Sequence, residues 1–178
     1  MIRSLRSMLA LVLVLVSASS LAAESTSAQA RAVTHSCGYY STQEVEVGLT
    51  YFNNNSAEVP WGTSVYLVYG WGGYTSGSTN VPFTWDTTNT VQASATAGYT
   101  WGITVTSTIA ARSSPKYYDA INFVWKIVRP DGSVLYKKGN TSTYGYYNAS
   151  FANLQRPCTN GGFIGSPTPL TVTSVVKW

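Results

Sequence analysis

The sequence predicts an all-β, antiparallel sandwich, and three observations carry that prediction. Apolar and polar residues alternate at period two in several short segments, and turn residues separate those segments. No stretch after residue 23 carries a 3.6-residue apolar period. Composition points the same way: 10% of the 178 residues are charged and 13% aromatic, where about 25% charged is usual for a soluble domain. So many aromatic and β-branched residues exclude a disordered chain.

Residues 1–23 read as a secretory signal peptide. Arg3 and Arg6 precede an apolar run from Met8 to Val16, and small residues from Ser17 to Ala23 follow. The run is far shorter than the roughly 20 residues that a membrane span needs. Cleavage after Ala22 or Ala23 fits the spacing, and Ala28-Gln29-Ala30 offers a later junction. Losing Arg3 and Arg6 leaves 9 of the 11 basic residues against 7 acidic ones, so the formal net charge falls from +4 to +2. Lys137-Lys138 is the only adjacent basic pair. No basic stripe stands ready for nucleic acid.

Residues 24–36 are small and polar and are expected to form a flexible leader before a β-sandwich domain at 37–178. The first expected strand starts at Gln43. It places Val45, Val47, Leu49 and Tyr51 on a buried face with Glu44 and Glu46 on the wet one, and Asn53–Ser56 turns the chain. Further strands are expected at Ser64–Tyr69, Val81–Trp85, Thr90–Ala95 and Tyr99–Ile109. The last of these sets Tyr99, Trp101, Ile103, Val105 and Ile109 on one face. Ala120–Arg129 has Ile121, Phe123, Trp125 and Ile127 on one side and Val124 and Val128 on the other, which marks it as the sheet centre. Pro130-Asp131-Gly132 then makes a tight hairpin into Ser133–Lys137. After a long excursion from Pro157 to Pro169, Leu170–Val176 is the final strand. Cys37 and Cys158 are an even pair in an exported chain and are expected to close a disulfide. Closing a loop of about 120 residues corresponds to roughly 4–5 kcal/mol in the chain-entropy account.

Catalytic equipment is sparse. The one histidine, His35, would have to serve any Ser-His-Asp triad or His/Cys metal site. Glu44 and Glu46 share a strand face, but neighbouring carboxylates on a wet face are the pattern of solubility rather than of a glycosidase pair. Asp86 and Asp119 could offer weak calcium donors, without any D-x-D-x-D-G loop to support them. The expectation is therefore no catalysis, no cofactor and no metal. The aromatic residues are more informative. Trp71 and Tyr74 stand among Gly70, Gly72 and Gly73, where small neighbours leave a ring face open to the C–H face of a pyranose. A second aromatic loop, Tyr144–Asn148, carries Tyr146 and follows Asn140.

Four stretches, in order, resemble the starch-binding carbohydrate-binding modules of bacterial amylases: Glu44–Tyr51, Ser64–Trp71, Tyr118–Lys126, and Asp131–Asn140 with its Val134, Leu135 and Tyr136. The resemblance implies an immunoglobulin-like sandwich and a sugar platform at Trp71; Tyr74, Tyr146 and Asn140 join it as expected ligand contacts on proximity alone. It departs from the family where Lys137-Lys138-Gly139-Asn140 replaces an acidic-Asn-Asn segment, and no histidine stands in Val65–Tyr69. The expected function is that of a secreted, non-catalytic protein that binds a polysaccharide or cell-surface glycan. The main alternative is an extracellular matrix or coat protein that self-associates through its uncharged aromatic surface. A carboxylate-dependent hydrolase, an inhibitor and a toxin are the remaining classes.

Overall fold

The period-two segments fold as strands in the computed structural model, which describes residues 23–35, 42–75, 80–81, 89–107, 110–111, 116–139, 145–154 and 162–176. In chain order the strands are β1 Glu24–Thr34, β2 Thr42–Asn53, β3 Ser64–Thr75, β4 Asn80–Val81, β5 Asn89–Gln92, β6 Ser94–Ala97 and β7 Thr100–Thr106. They continue with β8 Ala110–Ala111, β9 Lys116–Val128, β10 Val134–Lys137, β11 Gly145–Ser150, β12 Phe163–Ile164, β13 Thr168–Leu170 and β14 Val172–Val176. Among the described residues these form two packed sheets of seven strands, antiparallel throughout. One sheet runs β12-β1-β2-β7-β6, with β13 on β1 and β8 on β2; the other runs β14-β11-β9-β3-β4, with β10 on β9 and β5 on β3. No described helix is long and apolar enough to cross a membrane.

The core is made by the alternation visible in β2 and β9. Val45, Val47, Leu49 and Tyr51 are buried, and Ile121, Phe123, Trp125 and Ile127 are fully buried opposite them. Strand β9 is central, between β3 on one edge and β10 and β11 on the other. The two sheets meet through aromatic rings: Tyr51 of β2 lies 5.4 Å from Trp125 of β9 across the interface, and 6.0 Å from Trp101, its ladder neighbour in the same sheet, centroid to centroid. A polar stitch joins the sheets as well, because the Trp125 indole Nε1 donates to Thr26 Oγ1 at 3.0 Å. Deleting a buried ring of this kind costs about 3–5 kcal/mol.

Several expectations need correction. The segment expected as a flexible leader is β1, paired with β2 at every residue from Glu24 opposite Asn53 to Thr34 opposite Gln43. Its inward face is Ala28, Ala30 and Ala32, all buried, while Gln29 and Arg31 point to the wet side. The period is two, but alanine gives it too little hydrophobic contrast to register. The aromatic loop expected at Tyr144–Asn148 is largely β11, held between β9 and β14, with Tyr147 facing inward onto Phe123 at 5.3 Å. Tyr99 is not the first residue of a core face; it sits in the turn before β7. Thr90–Ala95 divides at buried Ala93, where the chain passes from β5 in one sheet to β6 in the other and Ala93 N donates to Val65 O at 2.9 Å. The Pro130-Asp131-Gly132 hairpin forms as expected, with Gly132 at φ +81° and Arg129 N donating to Ser133 O at 2.9 Å. Residues 82–85, Ile109, Cys37, Cys158 and Asn140 lie outside the described residues.

Candidate functional site

Trp71 is continuous with the core. Strand β3 runs on to Thr75, so Trp71 follows Val65, Leu67 and Tyr69 on the inward face. Its ring is partly buried and packs against Tyr69 edge-on at 5.6 Å, Phe151 at 6.2 Å and Tyr118 at 6.4 Å. The glycines beside it serve another purpose. A Cβ on Gly72 would sit 2.8 Å from Asn122 Nδ2, so the glycine lets the buried Asn122 amide close against the strand. Tyr74 is opposite Tyr117 in the β3–β9 ladder, beyond a register shift between Gly72 and Gly73. Tyr146 lies on β11 opposite Val175, half-buried, and burial pushes its phenol pKa up. Trp71 and Tyr146 fall on opposite faces of their sheet: Trp71 packs into the core, whereas Tyr146 alternates with the inward Gly145 and Tyr147.

Two open rings lie together elsewhere, at the end of the sandwich where the β2–β3 loop meets the β6–β7 turn; the exposed Tyr136 stands apart from them on β10. Trp61 is 98% exposed and Tyr99 49%. They border a cleft of about 620 Å³ whose lining includes Pro60, Thr63, Thr96, Thr100 and the buried ring of Trp101. None of the side chains lining it is charged.

Local sequence explains how each ring is held out. Pro60 to Thr63 is a β-turn closed by Thr63 N to Pro60 O at 3.1 Å and by the Thr63 hydroxyl to the same oxygen at 2.6 Å. Gly62, third in the turn, has φ +86°, the conformation a type II turn reserves for glycine. Trp61 is thus at the outer corner, with buried Val59 anchoring the loop beneath it. The second turn joins Ala97 to its partner Thr100 through Gly98 and Tyr99. The left-handed position falls on Tyr99, at φ +56°, rather than on the adjacent glycine. For a bulky L-residue this is a strained conformation, of the kind that concentrates at ligand sites.

One buried residue joins the two turns, through its backbone to one and its side chain to the other. Asn53 is 1% exposed. Its N–H donates to Tyr99 O at 3.1 Å, and its amide Nδ2 donates to Tyr51 Oη at 2.8 Å and to Glu58 Oε2 at 2.9 Å. Its Oδ1 accepts from Asn55 N at 2.9 Å. Beneath the Trp61 loop, Lys137 Nζ bonds Glu58 at 2.6 Å and Glu24 at 2.7 Å, and Arg129 Nε donates to Glu58 O at 2.9 Å. The Lys137 hydrogen bond holds the Glu58 carboxyl below its ordinary pKa. Burial works against the Lys137 ammonium, but its bonds to Glu24 and Glu58 prevail and raise its pKa. Burial likewise pushes the Tyr51 phenol far up.

These carboxylates are committed to structure. Glu58 is shifted in the opposite direction from a general acid, which needs a raised pKa. Glu46 pairs with Arg31 across the β1–β2 ladder, and Glu44 lies 2.8 Å from His35. Among the described residues no group of three or more His, Cys, Asp or Glu side chains gathers as a metal site. The cleft can therefore offer two ring faces and threonine oxygens. The Thr63, Thr96 and Thr100 hydroxyls each donate to a backbone carbonyl, which leaves lone pairs as acceptors for ligand hydroxyls.

Sequence reasoning had a signal for both missed rings. Trp61 precedes Gly62 and Tyr99 follows Gly98, the same aromatic-glycine pairing that drew notice to Trp71. What the sequence does not mark is which glycines lie in turns and which in strands. No protein-family model, curated protein or solved structure matches this chain.

Proposed function

We propose that the chain is a secreted, non-catalytic module that binds a neutral polysaccharide in the cleft between Trp61 and Tyr99. The observation that carries this reading is the almost complete exposure of the Trp61 ring on a hydrogen-bonded turn, facing a groove with no charged lining. An indole this exposed contributes little to the fold, so a sugar ring that covers it displaces no packing. Covering about 80 Å² of ring at ~25 cal/mol/Å² gives about 2 kcal/mol, or roughly 30-fold in affinity. The resemblance to starch-binding modules, with its immunoglobulin-like fold, supplies the ligand class, a pyranose polymer, while the platform moves from Trp71 to Trp61. Export brings the Cys37–Cys158 disulfide with it. What supports that pairing is the Thr34–Phe163 rung, from which Cys37 is three residues onward and Cys158 five residues back.

Affinity electrophoresis in native gels containing starch, glycogen or peptidoglycan tests the proposal. The parent is expected to be retarded by a neutral glycan, with retardation unchanged by added salt because no charge lines the cleft. Equal mobility in every gel would sink it. Self-association is the second reading, and strand β14 favours it. Among the described residues this strand, Val172–Val176, ends its sheet, and it carries no charge and no proline, so its own sequence sets little against pairing with another copy. Sedimentation at rising concentration separates the readings, since a monomer throughout leaves self-association without support.

A further inference from the structure

The fold distinguishes among the export junctions that the sequence leaves open, after Ala22, Ala23 or Ala30. Pairing between β1 and β2 extends one residue before β1. Ala23 N donates to Asn54 Oδ1 at 2.6 Å, and Ala23 O accepts from Asn54 N at 3.2 Å. We infer that the mature chain begins at Ala23 and that its α-amino group is a structural donor seated on Asn54. This inference rests on the reading of the protein as secreted.

Cleavage after Ala30 would remove Glu24 to Ala30, seven of the eleven residues of β1. Buried Ala28 and Ala30 would leave the core, and all three β1–β13 rungs would be lost. Trp125 Nε1 would lose its Thr26 acceptor, and Lys137 would lose Glu24. Cleavage after Ala23 spares the strand but deletes both bonds to Asn54. Cleavage after Ala22 keeps all of these contacts. It also places small residues at both positions that a signal peptidase reads, Ser20 and Ala22, whereas the junction after Ala23 would present Leu21 at the first of them. Hydrolysis of the Ala22–Ala23 peptide by that peptidase adds water across the bond, leaving a carboxylate on Ala22 and an ammonium on Ala23. The amide donor to Asn54 then becomes a charged one, and charge-assisted hydrogen bonds are shorter and stronger.

The test is expression of the full chain with its own residues 1–22 in a secreting host, followed by intact-mass measurement and N-terminal sequencing of the exported protein. The expected sequence starts Ala-Glu-Ser-Thr. A start at Glu24 or Arg31 overturns the assigned terminus while leaving secretion intact. An uncut chain retained in the cell overturns both, so the two failures are distinct. A chain produced from Arg31 onward supplies a second measurement: it should lose the cooperative unfolding transition shown by the chain starting at Ala23. Equal unfolding of the two would remove the structural argument.

Discussion

Replacing Tyr99 by glycine and, separately, by alanine removes the same ring and isolates the backbone strain beneath it. Tyr99 sits at φ +56° and is half exposed, and its carbonyl is held by Asn53 N at 3.1 Å, so the turn stays left-handed in either variant. An L-residue pays about 1–2 kcal/mol to occupy that region, and glycine almost nothing. Against this, glycine gives the unfolded chain extra freedom worth about 0.5–1 kcal/mol. The difference leaves Tyr99→Gly more stable than Tyr99→Ala by about 0.5–1 kcal/mol, the reverse of the usual order. Urea unfolding with equal slopes, or a gap in Tm of about 1–4 °C for a domain of this size, would read it out. Both variants should lose glycan retardation. If alanine matches or exceeds glycine in stability, Tyr99 is not held in the left-handed region, and the account of how the ring is presented is wrong.

Three other outcomes follow from the same contacts. Trp71→Ala should lower stability by about 2–3 kcal/mol, less than for a fully buried ring, while its folded fraction stays as retarded by glycan as the parent; loss of binding at unchanged stability would return the platform to Trp71. Because the folded-state pKa of Glu58 is depressed, its contribution is complete above its ordinary value of 4.5 and lost as pH falls through the lower folded value. Because that of Lys137 is raised, its contribution is complete below 10.5 and lost as pH rises through the higher folded value. Buried Tyr51, its phenol pushed up from 10.0, adds a further loss of stability above that pH. The urea midpoint should thus be flat between about pH 4.5 and 10, and Lys137→Met should lower the unfolding free energy there by about 1–3 kcal/mol and shrink the acid limb; an unchanged acid limb would contradict the network. Gly139 has φ +76°, and a Cβ there would lie 2.5 Å from Tyr147 Cε1 and 2.7 Å from Ser174 Oγ, so Gly139→Ala should cost more than about 2 kcal/mol in chemical unfolding; a neutral result would mean the 138–139 turn is free to move.

Where large apolar residues alternate with polar ones, the sequence is enough to locate the strand and its buried face. Val45 to Tyr51 and Ile121 to Ile127 are of this kind, and their inward residues are those with no exposure to water. Strand β1 has the same period but writes it in alanine, with Ala28, Ala30 and Ala32 opposite Leu49, Val47 and Val45 of β2. Only the partner strand makes its role visible. The candidate site shows a different limit. Gly70 and Gly72 beside Trp71 and Gly62 beside Trp61 look alike in sequence, yet the first two are strand residues, of which Gly72 admits Asn122, and the last bends the chain at φ +86°. A glycine in a strand buries its aromatic neighbour by alternation, whereas a glycine in a turn swings it outward. Tyr99 carries even less signal, because its left-handed backbone is imposed by the Ala97–Thr100 rung and the Asn53 hydrogen bond, both tertiary.

The most direct measurement is the mobility of Trp61→Ala in a native gel containing the glycan that retards the parent. Trp61 is 98% exposed, so the substitution should leave stability within about 0.5 kcal/mol and weaken retardation by roughly 30-fold in apparent affinity. A folded Trp61→Ala protein that migrates with the parent at every glycan concentration would contradict the assignment of the cleft.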